Sequence, residues 1–343
     1  MAFVFIAMNK LFFSFVIPVF NRPDEIQELL KSLSIQEYDK PFEIVLVEDG
    51  SIDSSEQIVQ SFKEKLQISY YYKENSGPGD SRNYGMRRAK GNYFIILDSD
   101  CIIPPHYLVE VEKELTNELV HCFGGPDAAH KSFSNIQKAI NYVMTSTLTT
   151  GGIRGGKISV DKFQPRSFNL GISKEAFEAT KGFGNIHPGE DPDLTFRIWK
   201  AGYSTRLLPK AFVYHKRRID WKKFYKQVNK FGSVRPILNK WHPHTKKLTY
   251  WFPSIFLIGF LTSIILLSFG YFQFILCYVV YFLLLFFESL SKNKSVKIAL
   301  LSLFAACTQF LGYGIGFLKS TILLNFNNKP AEELFPGLFF SKK

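Results

Sequence analysis

The chain has 343 residues, with 42 Lys and Arg against 30 Asp and Glu, for a formal net charge of +12. That length holds a full catalytic domain and a further segment, and the positive balance favours an acidic partner: a nucleotide phosphate, an anionic membrane surface or nucleic acid. The four cysteines, Cys101, Cys122, Cys277 and Cys307, are scattered with no CxxC pair, which argues against a disulfide framework and against a zinc site.

The first stretch, "MAFVFIAMNKLFF", is a short apolar run with no basic leading region and no convincing cleavage site, so it is not read as a signal peptide. "FFSFVIPVF" is the continuous apolar run of a strand covered on both faces. Pro23 sits close to a first helical position, and Ile26, Leu29, Leu30 and Leu33 follow at one-face helical spacing. "FEIVLVEDGS" predicts a second strand, after which Asp53 and Ser54 are placed to cap a helix, with Glu56 and Gln57 three residues on. "ISYYYKEN" predicts a third strand. "GPGDSRNYGMRRAKG" reads as a glycine-rich loop leading into a short helix that stops at Gly91, and "NYFIILDSD" as a fourth strand. Strand–helix alternation of this kind implies an open, largely parallel α/β sheet.

Near Trp251 the composition changes. "WFPSIFLIGFLTSIILLSFG" and "YFQFILCYVVYFLLLFFESL" are almost uncharged until Glu288, and each is long enough to cross a bilayer at about 20 residues per span. They predict a hairpin around Gly270. "VKIALLSLFAACTQFLGYGIGFLKSTILL" is also span-length but richer in Gly and polar residues; it either crosses or lies re-entrant or interfacial. A buried bundle in a soluble protein is the alternative, but the first two runs lack the polar face expected of one. Basic stretches flank the proposed hairpin on both sides, "HKRRIDWKKFYKQVNK" and "KWHPHTKK" before it and "SKNKSVK" after it. The positive-inside bias then puts the first 250 residues in the cytoplasm. Because the basic residues crowd around the spans, they need no nucleic acid to account for them.

The expected organisation is a catalytic domain over 1–235, a basic juxtamembrane segment over 236–250, two or three transmembrane helices over 251–325 and a tail over 326–343. In open α/β sheets, ligands bind at the carboxyl ends of strands. Glu48-Asp49, Asp98-Ser99-Asp100 and the Pro18-to-Asn21 turn all stand where an apolar strand runs out, so one crevice is expected to collect them. Asp98 and Asp100, one residue apart, repel each other unless a positive charge sits between them or both stay in water.

"FSFVIPVFNRPDEIQELLKSL", "FEIVLVEDGSIDSS", "NSGPGDSRNYGMRRAKGNYFIILDSD" and "GEDPDLTFRIWKAGY" follow one another in the order and spacing of family 2 glycosyltransferases, and the chain resembles that family over roughly residues 12 to 235. The resemblance implies a single Rossmann-like GT-A domain with a mostly parallel central sheet, followed here by C-terminal transmembrane helices. It implies inverting transfer from a nucleotide-sugar donor, usually a UDP-sugar. Asp49 matches the residue that hydrogen-bonds the base, with Glu48 where the family often has a second Asp; alone, Asp49 reads as a turn residue before Gly50. The backbone around Pro18, Val19 and Asn21 would line the base and ribose pocket, with Gly77 also on the donor. Arg82 matches a position near the diphosphate or base, although a basic helix face is often merely solvated.

Asp98 and Asp100 match the DxD motif. Asp98 would face the ribose or sugar and Asp100 a divalent cation, Mg2+ or Mn2+, as hard carboxylate oxygens suit. His215, closing "AFVYH", matches a histidine that can complete the metal site; a lone His at the end of an apolar strand is also often structural. Asp191 matches the base that removes the acceptor hydroxyl proton, and Glu190 beside it would hold the acceptor or orient the base. From local pattern alone Asp191 reads as an N-cap with Pro192 at the first helical position. The QxxRW signature of processive synthases is absent, so transfer of one or a few sugars is expected.

The segments "GGPDAAHKSFSNIQKAINYVMTSTLTTGGIRGGK" and "FQPRSFNLGISKEAF" are expected to recognise the acceptor, with a helix at "SNIQKAINYVM". "WKKFYKQVNK" places Trp221, Phe224 and Tyr225 among lysines, a composition suited to lipid headgroups, which favours a glycan or polyprenyl-linked acceptor at an inner bacterial membrane. Two other readings stay open. A nucleotidyltransferase would want a glycine- and basic-rich signature after the first strand, which "IPVFNRPDE" lacks. An inactive scaffold would be suggested by loss of Asp100 or Asp191, and both are present.

Overall fold

The computed structural model describes residues 10–128, 133–150, 163–215 and 220–340. The apolar start over 1–9, parts of the expected acceptor segments and the basic residues 216–219 lie outside that range. In chain order the first half runs β1 (Phe13–Val19), α1 (Pro23–Leu33), β2 (Glu43–Asp49), α2 (Glu56–Phe62), β3 (Ile68–Lys73), α3 (Pro78–Arg88), β4 (Tyr93–Leu97), β5 (Cys101–Ile102), α4 (Tyr107–Asn117), β6 (Cys122–Gly124) and β7 (Asp127–Ala128). There follow α5 (Asn135–Thr145), α6 (Thr147–Thr150), β8 (Asn169–Ser173), α7 (Lys174–Thr180), α8 (Glu190–Lys200), β9 (Thr205–Leu207) and β10 (Val213–His215). The C-terminal part is helical: α9 (Trp221–Trp241), α10 (Phe252–Ser268), α11 (Gln273–Asn293), α12 (Val296–Phe326) and α13 (Ala331–Leu334).

The main sheet has the order β3-β2-β1-β4-β8-β6-β9. Its first four strands are mutually parallel, and β8 runs antiparallel to both neighbours. Side chains of β1 alternate between two apolar layers, which is why its sequence reads as an unbroken run. Phe13, Phe15 and Ile17 pack with Ile26, Leu29 and Leu30 of α1. Val16 packs on the other face with Met86, Leu194 and Ile198. Each such buried side chain contributes roughly 1.5–3 kcal/mol of transfer free energy. A small sheet, β5-β10-β7, sits at the carboxyl edge and pairs His215 with Cys101.

Two local expectations shift. Ser55 takes the N-cap position of α2 without a side-chain cap, while Ser54 Oγ accepts the Glu56 amide at 3.1 Å, the buried Glu48 carboxylate takes the Ser55 amide at 3.0 Å and Asn21 Oδ1 takes the Asp53 amide at 3.1 Å. The turn is thus set by the strand ends. α3 ends at Arg88 rather than at Gly91, where the glycine amide instead donates to Ser14 Oγ at 2.9 Å and a Cβ would overlap β1. The expected helix after Ser134 forms as α5, with a reciprocal Ser134–Gln137 capping box.

Three helices are long and apolar enough to cross a membrane, ending in α10, α11 and α12. Gly270, at φ +88°, turns α10 into α11. α12 is one unbroken helix, and 44% of its apolar window is buried in the protein against 11% for each of the other two. The cause is its glycines: Gly312 and Gly316 meet Val228 and the Asn229 carbonyl of α9, while Gly232 of α9 meets the Tyr313 carbonyl, positions where a Cβ would collide. Small residues at this spacing let two helix backbones approach closely. α9 itself runs from Trp221 to Trp241 without a break, carrying Pro236 inside it. After α12 the chain turns back, and Leu334, Phe335, Leu338 and Phe339 pack with Ile186, Val234 and Ile237.

Candidate active site

The carboxyl ends of β1 and β2 are laced together by Asn21. Its φ of +52° is in the left-handed region, its amide donates to Ser51 Oγ at 2.7 Å, and its Oδ1 accepts the Ile52 amide at 2.8 Å. Val19 is buried in the core, so only its backbone faces the edge. Glu48 is wholly buried and binds Ser51, Ser55 and Tyr70, a reach a shorter aspartate would not have.

Asp49 anchors the loop before α3. Its Oδ1 accepts from Lys73 Nζ at 2.6 Å and from the Ser76 amide at 3.0 Å, and its Oδ2 accepts the Gly77 amide at 2.9 Å. A carboxylate oxygen has two acceptor sites, so Oδ2 keeps one for a further N–H. Gly77, at φ +94°, lies under the ring of Phe340 so closely that a Cβ would overlap it.

Arg82 is the hub. Its Nη2 meets Asp98 Oδ1 at 2.8 Å and its Nη1 meets Glu190 Oε1 at 3.3 Å, with a side-chain exposure of 4%. One buried guanidinium therefore joins the end of β4 to the start of α8. The Phe183 ring lies 5.2 Å from its Cζ. Asp98 thus has an arginine beside it. Asp100 turns the other way, and its Oδ1 sits 3.1 Å from His215 Nε2, backed by the Phe168 ring stacked on the imidazole.

That Oδ1 is buried and, beyond its contact with His215, has no hydrogen-bond partner among the described residues, so a carboxylate oxygen and an imidazole nitrogen converge as two ligands of a cation would. The donor set suits a hard or borderline divalent ion. Cys101 Sγ is also within reach, but burial pushes its thiol well up, and it donates to the Phe168 carbonyl at 3.3 Å.

The two acids that open α8 behave oppositely. Glu190 is buried, which alone would raise its pKa, yet His187 at 2.9 Å and Arg82 outweigh burial and hold it down at about 2. Asp191 is pushed up to about 6 by burial and by the adjacent Glu190 charge, against the pull of Arg82, Arg166 and the Ser167 amide. Asp191 Oδ1 has no hydrogen-bond partner among the described residues. Asp191 is not the N-cap. Gly189, at φ +117°, takes that place, and Pro192 falls in the first turn behind Glu190 and Asp191. The glycine is needed because Val234 of α9 fills the space where a Cβ would go. Asp193 faces away, bound to Arg197 at 2.7 Å and to His242 Nε2 at 2.9 Å.

The segment before α8 is held by the C-terminal tail. The His187 amide donates to the Leu338 carbonyl at 2.8 Å, the Phe340 amide donates to the Asn185 carbonyl at 3.0 Å, and the rings of His187 and Phe340 lie 5.8 Å apart. The structure thus brings Arg82, Asp98, Glu190 and Asp191 together, with Asp100 and His215 beside them and Asp49 with Gly77 at the end of β2, two strands over. Sequence reasoning missed His187, Arg166, Arg235 and Phe340. His187 alone carried a signal, lying three residues before Glu190.

Comparison with known proteins decides the class of the sheet-bearing part. The sequence model of the family described as "Glycosyl transferase family 2" matches residues 14–178. This part of the chain is a family 2 glycosyl transferase domain. An uncharacterised glycosyltransferase of Rickettsia conorii is 32% identical over 136 residues, covering 40% of this chain and 21% of that one. The poly(ribitol-phosphate) beta-N-acetylglucosaminyltransferase TarS of Staphylococcus aureus is 38% identical over 91 residues, covering 26% of this chain and 16% of that one. The chain therefore spans well under half the length of these curated relatives.

A mannosyltransferase from Pyrobaculum calidifontis, solved with GDP-Man and Mn2+, aligns over 89% of this chain and 88% of its own at a TM-score of 0.54 and 17% identity, a likeness of fold. The glycosyl transferase match stops at residue 178, before Glu190, Asp191 and His215. Those residues are tied to the domain through Arg82 and Asp100.

Proposed function

We propose that this protein is an inverting, membrane-bound glycosyltransferase that moves a sugar from a nucleotide-sugar donor, a UDP-sugar, to a hydroxyl of a glycan or lipid-linked acceptor in cell-envelope or surface-polysaccharide synthesis. The observation that carries the reading is the Arg82 bridge, which sets the DxD carboxylate Asp98 and the acid pair Glu190-Asp191 around one crevice. Donor contacts are assigned to the Pro18–Asn21 backbone, Asp49, Gly77, Arg82 and Asp98. Asp100 and His215 hold Mg2+ or Mn2+, which when bound supplies positive charge against the leaving diphosphate.

Asp191 takes the proton from the acceptor hydroxyl. The acceptor oxygen forms its bond to the anomeric carbon on the face opposite the leaving group, and the electron pair of the broken C–O bond goes to the nucleoside diphosphate, which inverts the centre. A base near pKa 6 is ionised at neutral pH and still basic enough to accept that proton. Burial first, and then Glu190, kept ionised by His187 and Arg82, hold Asp191 in that range. The three apolar helices anchor the protein in an inner membrane with the catalytic domain on the cytoplasmic side, the side marked by the flanking lysines and arginines.

The test is Asp191→Asn, which keeps shape and removes basicity. Transfer should fall by about 10²–10⁴-fold, the usual worth of a general base, while metal-dependent donor binding stays within about twofold. Wild-type turnover in the variant would remove Asp191 from the chemistry.

A further inference from the structure

A helix that crosses a bilayer leaves its two ends on opposite sides. Both ends of α12 lie against the part of the chain that carries the candidate active site. Shortly before its start, Glu288 of α11 accepts from Tyr142 of α5 at 2.6 Å and from Ser146 at 2.7 Å. Near its end, Leu324 packs with Val234 and Ile237 of α9, and the tail that follows is hydrogen-bonded to Asn185 and His187. α9 is itself fixed to the catalytic side, through Val234 against Gly189 and through His242, which meets Asp193 at 2.9 Å.

Contacts with the α10–α11 hairpin point the same way. α10 and α11 run antiparallel around Gly270, with the Tyr278 hydroxyl donating to the Phe256 carbonyl at 3.1 Å. The start of α10 and the end of α11 therefore form one base of the hairpin, away from Gly270. Ser302 of α12 meets Ser289 near the end of α11 at 2.8 Å, and the Gly314 carbonyl accepts from Ser254 in the first turn of α10 at 3.1 Å. From Ser302 to Gly314 is about 18 Å of helix, and that length is laid across the base. Between them Phe310 reaches only as far as Phe256, one turn into α10, at a ring separation of 4.5 Å. A third span would instead continue beside α10 or α11 toward Gly270.

One face of α12 is left uncovered along its length. Leu300, Phe304, Leu311, Ile315, Ile322 and Phe326 are exposed and recur in steps of four and seven residues, which is one side of a helix. This stripe continues the exposed apolar surface of α10 and α11. The surrounding charge has one sign: from Trp221 to Ala331 the sequence holds thirteen Lys and Arg and one acid, Glu288, which Tyr142, Ser146 and Lys292 bind. Lys222, Lys223, Lys226 and Lys230 of α9 are exposed, as is Lys297 at the start of α12. Lys319 flanks the stripe and is long enough to keep its ammonium at headgroup level.

We propose that α12 does not cross the bilayer but lies in its interface, across the base of the hairpin, with the Leu300–Phe326 stripe in the lipid. The chain then crosses the membrane twice, and its end after α12 stays on the side of the catalytic site. The proposal rests on the reading of the hairpin as membrane-spanning. A helix of this kind sinks its apolar face about 5–10 Å into the boundary between headgroups and acyl chains. Its 31 residues, about 46 Å of helix, exceed the roughly 30 Å of a hydrocarbon core and suit a helix lying flat. Because α9 joins α12 to the turn at Gly189, the acid pair is held at a set height over the lipid surface.

The test uses the full chain in sealed membrane vesicles of one orientation, with Cys277→Ser and Cys307→Ser removing the exposed thiols. Single cysteines are placed at exposed positions: Glu37→Cys beside the sheet, Tyr271→Cys at the hairpin turn and Lys329→Cys after α12. A membrane-impermeant maleimide is added before and after the vesicles are opened. Where Glu37→Cys labels in sealed vesicles, Lys329→Cys should label with it, and Tyr271→Cys only once they are opened. Lys329→Cys labelling only after opening, together with Tyr271→Cys, would make α12 a third span and overturn the proposal. Tyr271→Cys labelling before opening, alongside Glu37→Cys, would instead defeat the reading of the hairpin as membrane-spanning.

Depth is read separately from a fluorophore on Ile315→Cys, a stripe position whose side chain is exposed. A lipid nitroxide near the headgroup should quench it more strongly than one at the end of the acyl chain. The reverse order would put α12 at the bilayer midplane and overturn the interfacial placement. Quenching by neither would take the stripe out of lipid, and cross-linking between chains at that position would then assign it to a second copy.

Discussion

The crevice has two halves built on different principles. On the donor side, over residues 13–103, the polar groups are fixed by neighbours at adjacent strand ends: Asn21 by Ser51, Asp49 by the loop 73–77, Glu48 by Ser55. On the acceptor side, the Glu190-Asp191 turn depends on segments far away in the chain, namely Val234 of α9 and the tail residues Leu338 and Phe340. A pocket made from strand ends is a local consequence of the sheet, whereas a turn braced by α9 and the tail exists only once the C-terminal helices have packed.

The largest expected effect that separates the halves is at Asp100. Asp100→Ala should weaken metal-dependent donor binding by on the order of 10²-fold, since it removes a carboxylate ligand from a site with few protein ligands. Asp191→Asn, by contrast, should leave that binding intact. Titrating UDP with and without Mn2+ against both variants checks the contrast, and equal donor affinities in the two would erase the distinction between halves.

The donor half was legible in the sequence because its signals are local. Apolar runs ending in Glu48-Asp49 and Asp98-Ser99-Asp100 place carboxylates at strand ends, and parallel pairing puts those ends on one edge. The acceptor half was legible only in part. Asp191-Pro192 imitates a cap because proline favours the start of a helix, but proline is tolerated anywhere in the first turn, and a glycine at φ +117° was free to begin the helix earlier. Nothing local marks Val234 as a neighbour of Gly189 or Phe340 as a neighbour of Gly77. Those contacts follow from the glycine-mediated packing of α9 on α12, which returns the tail to the crevice. Gly and polar residues in the third apolar stretch were visible, and their meaning, a helix half-buried in protein, required the partner helix.

Removing the tail is the next test in size. A chain ending at Asn328 loses the two backbone hydrogen bonds to residues 185 and 187 and the apolar contacts of Leu338 and Phe339 with Ile186 and Trp241. Turnover should drop by about tenfold, because a base displaced by a fraction of an ångström loses its alignment. The donor KM should stay within about twofold. A rise in donor KM at unchanged turnover would place the tail in the donor half, through Phe340 over Gly77.

The smallest effect is the most specific to the acid pair. Asp191 is raised first by burial and second by the Glu190 charge, so activity that needs ionised Asp191 should fall as pH drops through about 6. Glu190→Gln removes the second cause and leaves the first. The acid limb of the pH–rate profile should therefore move below 6. Maximal turnover can change for other reasons, since Glu190 also binds Arg82, but the position of the limb answers only to the charge and solvation of the base. A limb that does not move would mean that Glu190 is screened from Asp191 by Arg82 and His187. A limb that moves up would mean that the titrating group is not Asp191, because loss of a neighbouring negative charge can only make a carboxylic acid stronger.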